Sequence, residues 1–145
     1  PIISKGFSLS MIGFAILWLG VIALFVGIMV SAHNIQYAIN PQGLTIKNAI
    51  FYGRTIRKDE IAIDGARIIN LNEEPAYKPA LRTNGIGLPG FQSGWFRLKN
   101  KEKALLFVTD YQKVLYLPTT KDYSLLISVT DPETMLEKMK EMWSQ

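Results

Sequence analysis

Apolar and polar positions follow three successive patterns along this chain. From Phe7 to Val30 the apolar positions are continuous: FSLSMIGFAILWLGVIALFVGIMV runs for 24 residues with no charge and no proline, and its only hydroxyl side chains are Ser8 and Ser10. As a helix it would be about 36 Å long at 1.5 Å per residue, enough to cross a hydrocarbon core of about 30 Å with some tilt. A helix also satisfies its own backbone hydrogen bonds in lipid, which an isolated strand does not. The pattern predicts a transmembrane helix over 7–30, preceded by a short flank, 1–6, and followed by a polar linker, 31–36.

From Tyr37 the period becomes two. Tyr37–Asn40, then Pro41-Gln42-Gly43, then Leu44–Asn48 reads as strand, turn, strand, with proline presetting φ and glycine relieving the turn. Ile50-Phe51-Tyr52 before Gly53-Arg54, a less regular Thr55–Ile63, and Ala66–Leu71 after Asp64-Gly65 continue the strand candidates. Strands resume at Trp95–Leu98, Ala104–Thr109, Val114–Leu117 and Tyr123–Val129, with Asn100-Lys101 and Tyr111-Gln112-Lys113 short enough for hairpin connections. Between them Asn72–Gly94, with three prolines and four glycines, reads as one long irregular loop.

The last pattern is helical. Thr130-Asp131-Pro132-Glu133 is a helix start, with threonine as N-cap and proline in the first turn. Met135, Leu136, Met139, Met142 and Trp143 then share one face, and Glu137, Lys138, Lys140 and Glu141 the other. That apolar face is expected to pack at home, closing one end of the strands. The resulting fold class is membrane-anchored α+β: one transmembrane helix, then about seven antiparallel strands and a C-terminal helix in a domain spanning 37–145.

Composition changes this picture little. The formal net charge of +4 is mild, and one of the sixteen basic residues, Lys5, precedes the span; nothing demands nucleic acid as a partner. There is no cysteine, hence no disulfide or thiolate metal site, and the single histidine, His33, lies at the membrane exit. No acid, base or nucleophile is set up for catalysis, so neither an enzyme nor a cofactor is expected. Gly85-x-Gly87-x-x-Gly90 matches a dinucleotide fingerprint in letters. That motif needs a strand before it and a helix after it, whereas here Pro89 interrupts it and Trp95-Phe96 follows as strand.

Val30-Ser31-Ala32 resembles a signal-peptide cleavage site, but the apolar run far exceeds a signal core, which favours a retained anchor. Lys5 precedes the span and the first basic residue after it is Lys47. The positive-inside rule then puts the N-terminus in the cytoplasm and the domain outside. The chain begins at Pro1, and a further helix upstream would reverse that orientation.

Three residue groups are candidates for binding. Gly6, Gly13, Gly20 and Gly27 recur every seven residues on nearly one helix face. Small residues let membrane helices approach closely, so this face is expected to dock on another transmembrane helix, a partner subunit's or that of its own copy. Arg82 and Asn84 in the long loop, with Phe91 and Trp95 as apolar neighbours, form the preferred polar site, since arginine and aromatic residues are enriched at binding hot spots. Lys47, Arg54, Arg57 and Lys58 bracket the early hairpin and could rest on anionic lipid headgroups, as could the alternating Arg97, Lys99, Lys101 and Lys103.

Strands followed by one amphipathic helix is the order of a pleckstrin-homology (PH) fold. The run Arg82-Thr83-Asn84-Gly85-Ile86-Gly87-Leu88-Pro89-Gly90-Phe91, leading into Gly94-Trp95-Phe96-Arg97-Leu98, resembles the signature of bacterial PH-like domain proteins. The Val114–Leu117 strand and the Asp-Pro-Glu helix start are also similar. The resemblance covers roughly 37–143 and implies a PH-like barrel and membrane association, with no catalytic residues to carry across. In PH domains that bind phosphoinositides, the early hairpin holds the phosphate ligands; Lys47, Arg54, Arg57 and Lys58 match that spacing only loosely. The function expected is that of an accessory or assembly subunit of a membrane complex, with an anionic-headgroup module as the alternative.

Overall fold

The computed structural model describes residues 2–49 and 53–144, and for 2–7 and 31–33 the backbone only. The strand candidate Ile50-Phe51-Tyr52 lies outside the described residues. The chain divides into two compact units, Pro1–Asn34 and Ile35–Gln145.

The first unit is α1 (Ile2–His33), a single 32-residue helix. Its stretch Ser8–Val30 is long and apolar enough to cross a membrane. Its apolar side chains are exposed all round, Leu24 at 67 % and Leu9 at 71 % among them, as an unbroken apolar sequence requires when its solvent is lipid. The helix runs on to His33, and the next strand opens at Gln36.

The second unit holds nine strands among the described residues: β1 (Gln36–Asn40), β2 (Gly43–Lys47), β3 (Arg54–Arg57), β4 (Arg67–Ile69), β5 (Pro79–Leu88), β6 (Phe91–Leu98), β7 (Lys103–Val108), β8 (Val114–Pro118) and β9 (Ser124–Ile127). The helix α2 (Pro132–Trp143) follows. The expected order of long apolar helix, strands and closing helix is therefore the one observed. The strands form two sheets, β1-β2-β3 and β4-β8-β9-β7-β6-β5. Among the described residues no pairing joins the two into a closed barrel, and they pack as a sandwich instead.

The alternation of each strand explains the packing. Leu44 and Ile46 of β2 and Ile56 of β3 turn inward against Leu105, Phe107, Leu115, Leu117, Leu125 and Ile127 of the larger sheet. Met139 and Trp143 of α2 complete this core, with Met135 and Leu136 partly buried beside it. Met142, expected on the same face, is 36 % exposed. The Trp143 indole Nε1 donates to the Asn40 carbonyl at 2.9 Å, tying the last turn of α2 to the end of β1. The helix cap is Asp131, not the expected Thr130: its carboxylate accepts from the Thr134 amide at 3.2 Å and the Thr134 hydroxyl at 2.7 Å. With Pro132 as the first helical residue, the cap falls one position before it.

The opposite face of the large sheet carries a second core of Ile69, Leu71, Phe96, Leu98, Ala104, Leu106, Val108, Val114, Tyr116 and Leu126, with Tyr77 and Tyr111 partly buried against it. β7 and β9 are thus buried on both faces, which makes them central strands. β9 lies between β7 and β8, parallel to the former and antiparallel to the latter. Tyr111-Gln112-Lys113 is therefore a connection across β9, not the turn of a hairpin. The continuous Leu125-Leu126-Ile127 is what needs that central slot.

The region read as one long loop is largely a β-hairpin. β5 pairs antiparallel with β6 from Pro79↔Leu98 to Leu88↔Phe91, closed by Pro89 and Gly90, whose φ of 77° is the left-handed value favoured by glycine. Pro75 precedes the strand, Pro79 is its first residue and Pro89 sits in the turn, so none interrupts the ladder. Gly85 is required by close approach: a Cβ there would lie 2.5 Å from the Ser93 carbonyl oxygen. The GxGxxG letters thus serve strand packing and a turn.

Candidate functional site

The β6–β7 hairpin turns at Lys101, whose φ is 73°. The Asn100 carboxamide holds the turn by accepting from the Glu102 amide at 2.9 Å and donating to its carboxylate at 3.0 Å. This register sets Arg97 directly opposite Lys103, and Trp95 opposite Leu105. Two like charges facing each other across a ladder destabilise it. Arg97 Nη1 donates to the Lys101 carbonyl at 3.0 Å, and Lys103 Nζ forms a long ion pair with exposed Asp122 at 3.9 Å.

Trp95 is the floor on which these charges gather. Lys103 Nζ lies 4.8 Å and the Arg54 guanidinium 5.2 Å from its ring centroid, both within cation–π range. Tyr123 meets the ring edge-on at 5.2 Å. Thr83 of β5 donates its hydroxyl to the Trp95 carbonyl at 3.1 Å. The result is an open groove of about 500 Å³ lined by Thr83, Asn84, Trp95, Arg97, Lys103 and Asp122.

The preferred polar site is split by the fold. Asn84 pairs with Trp95 and lines the groove, but Arg82 pairs with Phe96, and a bulge falls between the two. Two residues apart would normally share a face; the extra residue reverses that. Arg82 Nη1 instead lies near Gly87, on the Phe96 side. Phe91 is 1 % exposed and belongs to the interior, not to a binding surface.

The hairpin cations do not converge either. Arg54, paired with Ile46 on the inward side of β3, reaches Trp95. Arg57 pairs with Gly43 at the other end of β3 and is bound to Asp59 at 2.8 Å. Lys47 ends β2 beside Gln36, and Lys58 opens the 3-10 turn after β3. On the helix, Gly13, Gly20 and Gly27 present an open stripe, since an added Cβ at each would meet nothing within 4 Å. The surroundings of Gly6 lie outside the described residues.

A polar network that sequence reasoning missed links β4, β8 and β9 to the β6–β7 turn. The Glu102 carboxylate accepts from Tyr116 Oη at 2.7 Å and from the Ser124 hydroxyl. Arg67 binds Glu74 at 2.9 Å and stacks on Tyr77 and Tyr116 at 5.0 and 5.7 Å. Burial pushes the Glu102 carboxyl up, but hydrogen bonds from Ser124, Tyr116 and Asn100 outweigh it and hold its pKa below the ordinary value. Burial likewise pushes the Tyr116 phenol up, to about 12. These residues come from separate segments, so no local pattern announces them. Among the described residues no group of three His, Cys, Asp or Glu could hold a metal.

A family model for the bacterial PH domain matches residues 35–142. The chain belongs to the bacterial PH domain family. The match covers the whole β sandwich and nearly all of α2, and the resemblance read from the Arg82–Leu98 run was to this same family. No curated protein and no solved structure matches the chain. Within this PH domain the groove at Trp95 is formed by β5, β6 and β7 together with Asp122, and Arg54 reaches it from β3.

Proposed function

We propose that this protein is a non-catalytic, membrane-anchored PH-domain binding module that serves as an accessory or assembly subunit of a membrane complex. The stretch Ser8–Val30 would cross the cell membrane once, with the domain on the extracytoplasmic side, as the basic flank at Lys5 favours. The observation that carries the reading is the open glycine stripe on α1, where Gly13, Gly20 and Gly27 leave room for a second helix backbone. Packing rather than hydrophobicity drives helix association in lipid, so such a stripe favours a helical partner, from another subunit or a second copy. The PH domain supports binding by its class, and its described residues offer aromatic and cationic surface rather than an assembled acid–base or nucleophilic set.

Mild-detergent purification of the tagged full chain, with mass spectrometry of what stays bound, tests this. A stoichiometric membrane partner, lost from Gly13→Leu/Gly20→Leu, is the expected result. Unchanged assembly in that variant would remove the reading. The alternative, an anionic-headgroup module, draws on Lys47, Arg54, Arg57 and Lys58, all exposed along the β2–β3 hairpin. A protein that purifies alone but keeps anionic lipid would favour it.

A further inference from the structure

Arg97 and Lys103 face each other across the β6–β7 ladder and line the same groove. Side chains at directly paired positions start about 5 Å apart, so both cations can reach one small ligand seated between them. Arg97 directs one N–H to the Lys101 carbonyl at 3.0 Å and has no carboxylate partner among the described residues. Its planar guanidinium keeps further N–H donors for an oxyanion. Arg54, 5.2 Å from the Trp95 ring centroid, likewise has no carboxylate partner among the described residues. Lys103 lies 4.8 Å from the same centroid and 3.9 Å from Asp122, whose side chain is 84 % exposed. Around this ring, three cations against one acid leave two positive charges in excess. The half-buried indole gives them an apolar floor, where charges interact more strongly than in open water.

We propose that the groove at Trp95 binds the phosphate group of a phosphate monoester, held between Arg97 and Lys103, with Arg54 adding charge at the ring and Asp122 displaced from Lys103. A phosphate monoester carries close to two negative charges at neutral pH, which matches the excess in the groove. The arginine fork pairs with two of its oxygens in parallel, and the lysine ammonium supplies a point charge to a third. The bound dianion replaces the repulsion between the facing cations by two attractions. Asp122 yields readily, because an exposed ion pair of that length is weak. A carboxylate in the same place would bring only half the charge. The groove of about 500 Å³ has the size of a small-molecule site. It is separate from Lys47, Arg57 and Lys58 of the β2–β3 hairpin, none of which lines it. A dissolved phosphate ester and a phosphatidic acid headgroup present this same chemistry.

This inference rests on the binding-module reading but adds the ligand's chemistry, and it can fail independently. The test is isothermal titration calorimetry of the full chain in a non-ionic detergent at low salt. Glycerol phosphate is the soluble probe, and micelles doped with phosphatidic acid are the lipid probe. Binding should weaken roughly tenfold in Arg97→Gln and in Lys103→Gln, each with its thermal melt checked. It should strengthen about threefold in Asp122→Asn, where the competing carboxylate is gone. Lys47→Gln/Lys58→Gln, outside the groove, should leave it unchanged. This pattern with glycerol phosphate supports the proposal and makes the source a dissolved ester; the pattern with phosphatidic acid alone supports it and makes the source a headgroup. Absence of binding to both probes overturns the proposal. So does binding that Lys47→Gln/Lys58→Gln weakens as much as Arg97→Gln does, or that acetate matches in affinity. If phosphate fails but a membrane partner still co-purifies, only the groove site falls. If phosphate binds and no partner co-purifies, the subunit reading falls and the site stands.

Discussion

Glu102 shows how one residue at a turn couples pH to the stability of the domain. Its carboxylate accepts hydrogen bonds from Tyr116, Ser124 and Asn100, so the folded pKa lies below the unfolded value. Such a group contributes stability above its unfolded pKa, about 4.3, and that contribution is lost as pH falls through the folded value. Glu102→Gln should therefore lower the melting temperature at neutral pH, and the difference from wild type should shrink below about pH 4 in a series of thermal melts. A gap independent of pH would mean the carboxylate's charge is irrelevant. At this scale the sequence is a partial guide. That Asn84 and Trp95 stand together was legible, because a polar–aromatic pair in a glycine-rich stretch stands out, and the two line one groove. The fates of Arg82 and Phe91 were not, since a one-residue bulge and the inward turn of β6 leave no mark in spacing.

At the scale of elements, the β6–β7 hairpin carries a built-in conflict. Arg97 and Lys103 face each other across the ladder, and threonine is a better strand residue than arginine at an exposed site. Arg97→Thr is expected to raise stability by about 0.2–1 kcal/mol, read from the urea midpoint at unchanged slope. A loss of stability would show that the Arg97 bond to the Lys101 carbonyl outweighs the repulsion. The same scale explains which elements were legible. α2 announced itself through its proline start and its apolar stripe, and β7 and β8 through β-rich apolar runs. β5 did not, because its glycines and flanking prolines read as loop until the partner strand shows why they are there. Nor did the slot of β9 between β7 and β8, although the unbroken Leu125-Leu126-Ile127 run is the signal for a strand buried on both faces.

At the scale of the molecule, both hydrophobic cores are built, among the described residues, from Ile35 onward. A fragment Ile35–Gln145 should therefore be soluble without detergent and unfold in one cooperative transition, followed by circular dichroism against urea. A molten fragment would mean that the helical unit supplies part of the fold. The sequence by itself determined the membrane-spanning length of α1, the heptad glycine stripe, the closing helix and the PH-family character of the domain. Each of these is a local property, written in consecutive or periodic residues. Only the tertiary structure decided that Arg54, Asn84, Trp95, Arg97 and Lys103 gather at one groove. Proximity between distant segments depends on which faces bury together and in what register, and that is settled by the packing of the whole sandwich rather than by any one stretch of chain.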